Sequence, residues 1–470
     1  MHLSFRATPP AILETMGHGA FEPAHPAPMT GPGRDYLRLY RLARQDYLSV
    51  FRENDYHTRN SQLRGFGRQL VTVNVPDDIK YVMVTRHDNF ERKAPAMRRA
   101  LEHLLGDGLF ISDGETWKCR RPMVADIVHK GRIPQFSRHM EEVSQALVTR
   151  WAGLAPDVTV DALAEMGGLT AEIIARAVFG DDIGPDAANE VVCGFTSFQS
   201  VVDNINLAYV AGFDNGIPVV KTPRLRRAIR RVRAVIDRVA ANHLGSTHGD
   251  GSMMDLLVRR QKKNPELGLD LAALRNEAAT IFMAGQETTA GTLTWIWYLL
   301  AHAPWAEEAL HGEIDRVCGT RTPTLQDVAS LDYTRAVVEE ALRLYPPVPL
   351  LGRQAREADR IGGIDVLPAG LVTISPWLMH RNPDIWDRPH HFVPERFLGP
   401  GRPAPYTYFP FAIGPRICAG LQFGLTETIL CLAILAQRFR LRMAPGVRVR
   451  PAARLTLRPV GGMPMTVHSR

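Results

Sequence analysis

Residues 271–302 follow Asp270 without a single proline, and no other stretch of the chain constrains its fold as tightly. Asp270 is of the type that caps a helix N-terminus, and a helix over that span would be about 48 Å long. Along it Leu274, Ala278, Ile281, Gly285, Thr288, Thr292, Trp295 and Leu299 recur at alternating steps of four and three, which predicts one continuous, mostly apolar buried face. Such a helix needs a large core around it. A chain of 470 residues, 45% hydrophobic, can supply one, and the length fits one large helical domain as well as two or three smaller ones.

The remaining punctuation favours one domain. Pro23, Pro26, Pro28, Gly31, Pro32 and Gly33 mark residues 1–33 as an irregular lead-in, with the folded domain running over 34–470. Helical periodicity sets in at Leu37, Tyr40 and Leu42, and a strand-like run occupies 69–75. A second clear helix covers about 332–345 and stops at Pro346-Pro347, where the amide donor is lost. Glycine, proline and β-branched residues then crowd 348–375, predicting short strands and turns. Residues 454–460 and 463–468, joined at Gly461-Gly462, read as a β-hairpin. The fold class is mainly α with small β-sheets, an α+β chain.

Charge and cysteine usage narrow the function classes. The formal charge of +7 is modest for a surface of this size and does not imply nucleic acid. Arg224, Arg226, Arg227, Arg230, Arg231 and Arg233 interleave with Leu225, Ile229, Val232 and Ile236, the pattern of an amphipathic helix. Its basic face suits solvent, a membrane surface or an acidic partner. Cys119, Cys193, Cys318, Cys418 and Cys431 are scattered, with no CxxC pair, so neither a disulfide framework nor a zinc site is expected. No transmembrane segment and no signal layout stand near the N-terminus, and a reducing cytoplasm is expected.

Chemistry concentrates at residues 411–420, Phe-Ala-Ile-Gly-Pro-Arg-Ile-Cys-Ala-Gly, before an apolar helical run over 421–439. Gly414 and Gly420 permit a tight loop and close approach of a flat cofactor. A thiolate at Cys418 would face the amides that open the next helix, whose dipole favours an anion. Arg416 can pair with a cofactor carboxylate, and Phe411 can shield the sulfur from water. A lone cysteine in a glycine-rich turn is ordinarily a buried core residue. The full spaced pattern, however, resembles the haem-binding loop of the cytochrome P450 family.

That resemblance extends over roughly 34–470 and meets the family's other motifs in order. Trp117 and Arg121, by themselves a basic helix start with an aromatic, resemble the family's contacts to a haem propionate. Ala284-Gly285-Gln286-Glu287-Thr288-Thr289 resembles its oxygen-activation motif, with Glu where many members carry Asp. Gly285 within a helix costs about 0.5–1 kcal/mol against alanine. Helix packing, with threonine bonding back to a carbonyl one turn earlier, is one reason for such a pattern. The resemblance supplies another, a widened helix that admits oxygen and water beside Thr288, with Glu287 feeding protons. Glu340 and Arg343 lie at i and i+3 and can pair on a helix face; in the family such a pair meets the arginine of a later Pro-Glu-Arg-Phe segment, here Arg396, in a buried structural triad. Arg353 and His380 resemble further propionate contacts.

The resemblance implies haem b, with Cys418 as the iron ligand, in the cytochrome P450 fold. It implies a monooxygenase that uses O2 to hydroxylate a hydrophobic small molecule: a fatty acid, terpenoid, steroid or aromatic compound. Segments near 94–110, 195–219, 281–285, 348–351 and 461–462 would line the substrate space. No second cofactor signature follows the cysteine helix, so electrons are expected from ferredoxin and ferredoxin reductase, docking near Lys118, Arg120 and Lys130, onto a monomer. A peroxide-using or isomerising haem-thiolate enzyme and a non-catalytic haem sensor are the competing readings.

Overall fold

The protein is described from a computed structural model, which covers residues 21–30, 41–43, 45–65, 68–180, 223–245, 249–399 and 401–470. Among the described residues, ten longer helices form the body: α1 (Pro95–Leu105), α2 (Gly114–Ile127), α3 (Ile133–Ala152), α4 (Ala162–Phe179), α5 (Pro223–Gly245), α6 (Met253–Lys263), α7 (Leu271–His302), α8 (Pro304–Cys318), α9 (Asp332–Leu344) and α10 (Leu421–Ala436). Twelve short strands accompany them: β1 (Ser61–Gly65), β2 (Arg68–Val73), β3 (Arg92–Lys93), β4 (Thr159–Asp161), β5 (Leu351–Gln354), β6 (Asp359–Ile361), β7 (Ile364–Val366), β8 (Leu371–Ile374), β9 (Phe439–Met443), β10 (Pro451–Ala453), β11 (Leu457–Pro459) and β12 (Pro464–Ser469). One sheet has the order β1-β2-β8-β5-β3 and another β4-β12-β9, while β6–β7 and β10–β11 are two-stranded.

Helix α7 runs over the span its sequence predicts. Asp270 caps it by accepting the Ala273 N–H at 2.8 Å. It is not buried on one stripe, however. From Ala273 to Leu300 it is enclosed on nearly every side, because it threads the middle of the core with α4 and α5 packed along it. The helix stays α-helical throughout, and the widening expected around Gly285 is not seen. A Cβ on Gly285 would come within 2.9 Å of the Ile174 side chain on α4, and Thr170 donates to the Gln286 carbonyl at 2.8 Å. Close packing of α4 therefore accounts for the glycine.

The arginine-rich run forms α5. Arg226, Arg227, Arg230 and Arg231 are exposed, while Ile229, Val232 and Ile236 are buried. Residues 21–30 carry no helix or strand, yet they are tied to the body: Phe21 stacks on His302 at 5.0 Å, and the Tyr345 hydroxyl donates to the Ala24 carbonyl at 2.7 Å. The rest of the lead-in lies outside the described residues.

The expected terminal hairpin is corrected. β11 pairs with β10, and β12 pairs with β9 and β4. Gly461 and Gly462, both at positive φ, hand the chain from one sheet to the other instead of folding it back on itself. Asp161 fixes the crossing by accepting the Met463 N–H at 2.7 Å.

Behind α10, the pair on α9 is fully enclosed. Arg343 donates to Glu340 through Nε at 2.7 Å and Nη2 at 2.8 Å, and Arg396 Nε lies 3.4 Å from the same carboxylate. Arg343 also donates to the carbonyls of His380, Pro389 and His391.

Candidate active site

The cavity between α7 and the residues preceding α10 collects most of the predicted side chains. Gly285, Glu287 and Thr288 line it from α7, and Phe411, Arg416, Cys418 and Gly420 from the loop before α10. Trp117 and Arg121 enter from α2, and Arg353 from β5. Met97, Leu109, Phe110, Ile281, Val348 and Leu350 make much of the remaining wall apolar. Two predicted residues lie elsewhere. Gly414 does not line the cavity; it turns the loop at φ 73°, with the Met83 carbonyl where a Cβ would stand. His380 is fully buried outside the cavity wall, where its Nε2 accepts the Phe409 N–H at 2.9 Å. The segment 195–219 lies outside the described residues.

The loop presents Cys418 through local hydrogen bonds. Its N–H donates to the Phe411 carbonyl at 2.9 Å, and the Ile417 N–H to the Gly414 carbonyl at 3.0 Å. The thiol is accessible from the cavity yet removed from bulk water. Burial raises its pKa, against the lowering effects of the Gly420 N–H and Arg121. The amide at the start of α10 thus acts in the expected direction and is outweighed by desolvation. Cys431 differs: it lies within α10, accepts from the Ser144 hydroxyl at 3.3 Å and does not line the cavity.

One end of the cavity is cationic. Arg416 donates to the Ser112 carbonyl at 2.8 Å and lies over the Trp117 ring at 4.3 Å. Its Nε and Nη2 have no hydrogen-bond acceptor. Burial lowers the pKa of Arg416 and of Arg353, each to about 10, and also lowers that of Arg121. Arg353 donates to the Gly352 carbonyl at 3.0 Å, but the buried Arg416 guanidinium, with Glu91 no nearer than 3.6 Å, calls for an anionic ligand. Together with an accessible thiol between Gly420 and the loop, these arginines fit a flat cofactor that carries carboxylates and a metal.

Across the cavity, the Thr288 hydroxyl donates to the Ala284 carbonyl at 2.7 Å and keeps acceptor capacity. Glu287 is buried and bonded to Thr456 and Arg458 on the C-terminal chain; Arg458 Nε donates to it at 2.7 Å. The Arg458 side chain is 36% exposed and so links that carboxylate to the surface.

Sequence reading missed two ionisable side chains of the wall, Lys93 and Glu427. Glu427 on α10 accepts from Thr289 at 3.2 Å, its Oε1 has no partner, and burial pushes its pKa up to about 8. It is the single carboxylate within the apolar run Leu421–Ala436, and that isolation was a readable signal.

A buried clasp holds the wall near Phe110. Glu277 on α7 accepts the Leu109 N–H at 3.1 Å and Arg120 Nη1 at 3.1 Å, and Arg120 also bonds Asp107 at 2.9 Å. Asn276 donates to Asp107 at 3.0 Å. Burial raises the Glu277 pKa to about 7, against Arg120 and the Leu109 N–H. Arg120 is thereby withdrawn from the expected docking patch, which leaves Lys118 and Lys130 exposed.

Comparison with known proteins agrees with this geometry. The cytochrome P450 family model matches residues 44–463. Cyclooctatin synthase from Streptomyces melanosporofaciens is 34% identical over 391 residues, covering 81% of this chain and 83% of its own length. Cyclooctat-9-en-7-ol 5-monooxygenase from the same organism is 32% identical, covering 73% and 74%. Cytokinin hydroxylase from Arabidopsis thaliana is 29% identical, covering 82% and 76%. A crystal structure of a cytochrome P450DA haem domain superposes with a TM-score of 0.78 at 24% identity, over 95% of this chain and 97% of that one. No described helix is long and apolar enough to cross a membrane.

Proposed function

The chain belongs to the cytochrome P450 family and is a monooxygenase, and from that premise we propose that it hydroxylates a hydrophobic small molecule of terpenoid type, with haem b held at Cys418 and electrons taken from a ferredoxin. The observation that carries this reading is the shared cavity: an accessible Cys418 thiol, a cationic end built by Arg121, Arg353 and Arg416, and Thr288 on α7 all open on the same space. Bound there, haem supplies the activation of dioxygen, and a thiolate ligand favours cleavage of the O–O bond.

The protein's own residues have separable tasks. The three arginines neutralise the cofactor's carboxylates and fix its orientation, while Phe411 keeps water from the sulfur. Ile281, Val348, Leu350 and Phe110 offer an apolar surface to the substrate and exclude water from it. Thr288 would offer its hydroxyl to the space where oxygen is activated, and Glu287 would hold a proton for delivery there, with Arg458 and Thr456 fixing its carboxylate and not relaying protons themselves. The substrate class draws support from the relative named for a cyclic alkenol, whose chemistry suits this apolar wall. Lys118 and Lys130 remain as the basic contacts for an acidic ferredoxin.

The test is oxygen consumption with terpenoid alcohols and fatty acids, driven by a bacterial ferredoxin and its reductase. The expected result is hydroxylated product in step with reductant consumed. Thr288→Ala is expected to keep consuming reductant while product per electron falls on the order of tenfold or more. Turnover with peroxide and none with the ferredoxin system would contradict the proposal.

A further inference from the structure

The N-terminal lead-in meets the connection between β8 and α10 at residues 390–392. The Phe392 N–H donates to the Phe21 carbonyl at 3.1 Å, and the Ala24 N–H to the Tyr298 hydroxyl at 3.0 Å. With the Tyr345 bond to the Ala24 carbonyl, these contacts hold Glu22 and His25 against His390. One ligand atom from each of Glu22, His25 and His390 lies within 4.8 Å of the other two. The two imidazoles stack with centroids 4.4 Å apart.

Two features separate this group from a chance meeting of polar side chains. His25 Nδ1 lies 3.1 Å from the Pro23 carbonyl, which can only accept, so the proton sits on Nδ1. Its Nε2 lone pair is left free, 3.6 Å from the Glu22 carboxylate, and a backbone bond of this kind is the usual support of a ligating histidine. His390 is held between the Pro389 and His391 carbonyls, both bound by Arg343. Yet neither of its ring nitrogens has a hydrogen-bond partner among the described residues, and its Nδ1 is buried. A buried polar atom without a partner calls for one.

We propose that Glu22, His25 and His390 bind a divalent ion of the zinc type, with water as a fourth ligand, and that the ion pins the lead-in to the chain segment gripped by Arg343. Two imidazoles and one carboxylate suit zinc and not magnesium or calcium, which take oxygen ligands. Ligand atoms around tetrahedral zinc stand about 3.3 Å apart, so the half-exposed Glu22 side chain closes the shell by swinging inward. Arg381, stacked on the Trp377 ring at 3.4 Å, opposes a dication here, and the Glu22 carboxylate offsets it. None of the three ligands lines the haem cavity, so the ion anchors the chain and takes no part in oxidation. A site built without cysteine escapes a count of cysteines.

The test uses haem-loaded protein stripped of other metals with EDTA and dialysed against zinc, with bound metal counted by mass spectrometry. Wild type is expected to hold one tight equivalent. His25→Ala and His390→Ala are each expected to bind it on the order of tenfold or more weakly at unchanged haem content, while His129→Ala, which alters an exposed histidine elsewhere, keeps it. Retention of the tight equivalent in either His25→Ala or His390→Ala, or its absence in wild type, overturns the proposal. If either variant fails to fold, wild type answers alone. Diethyl pyrocarbonate is then expected to label His25 and His390 in stripped protein and to spare them when zinc is bound, and equal labelling overturns the proposal.

Discussion

Replacing Arg343 by leucine is expected to destabilise the protein by about 3–5 kcal/mol, because the substitution strands a buried carboxylate. Both side chains of the Glu340–Arg343 pair are wholly inaccessible. Without the guanidinium, Glu340 keeps the Val393 N–H at 2.9 Å and the more distant Arg396. The carbonyls of His380, Pro389 and His391 lose a donor at the same time. A loss of that size is a large part of the roughly 5–15 kcal/mol that holds a domain folded. Lysine should not rescue, since a single ammonium cannot reproduce the planar fork that reaches Glu340 and three carbonyls. Urea unfolding is the check. The double variant Glu340→Leu/Arg343→Leu should lose less than the sum of the single losses, because the close pair is removed together and only the more distant Arg396 loses its carboxylate. Additive losses would contradict a stranded-charge account.

The second large effect is expected at Gly414. Its φ of 73° lies in the left-handed region, where a β-branched residue is strained. Its missing Cβ also leaves room for the Met83 carbonyl. Gly414→Val must therefore move the turn whose carbonyl accepts the Ile417 N–H, and with it the cysteine one residue further on. Most of the cofactor should be lost on purification. The ratio of Soret to protein absorbance reads this directly, and a wild-type ratio in Gly414→Val would show that the loop tolerates another path. The valine is not expected to unfold the helical core, since Gly414 belongs to a three-residue turn outside the long helices.

Local signals in the sequence were read accurately, and distant pairings were not. The bounds of α7 follow from Asp270 and from Pro304 just beyond its end, and α9 stops before Pro346 for the same kind of reason. The face of α7 was underestimated because a stripe reports the most apolar side of a helix and not what surrounds the others. The terminal strands were mispaired because Gly461-Gly462 announces a turn without saying which strand comes next. β12 found its partner at Thr159–Asp161, far back in the chain.

The site divides in the same way. The loop around Cys418 and the segment around Thr288 were legible because their residues are close in sequence. The triad depended on a family resemblance, since an i, i+3 pair suits a solvated surface equally well. His380 could not be placed from its neighbours, for its ring is claimed by the Phe409 amide. Lys93 was invisible because a single lysine in a short strand carries no pattern. Only the packing of β3 beside β5 turns it inward.

The most direct measurement of the central claim is the difference spectrum of the reduced carbon monoxide complex in wild type and in Cys418→Ala. The account predicts a thiolate-type Soret band in wild type and its disappearance in the variant. Cys431→Ala, placed within α10 and off the cavity, should keep the band. Absence of the band in wild type, or its persistence in Cys418→Ala, would contradict the account.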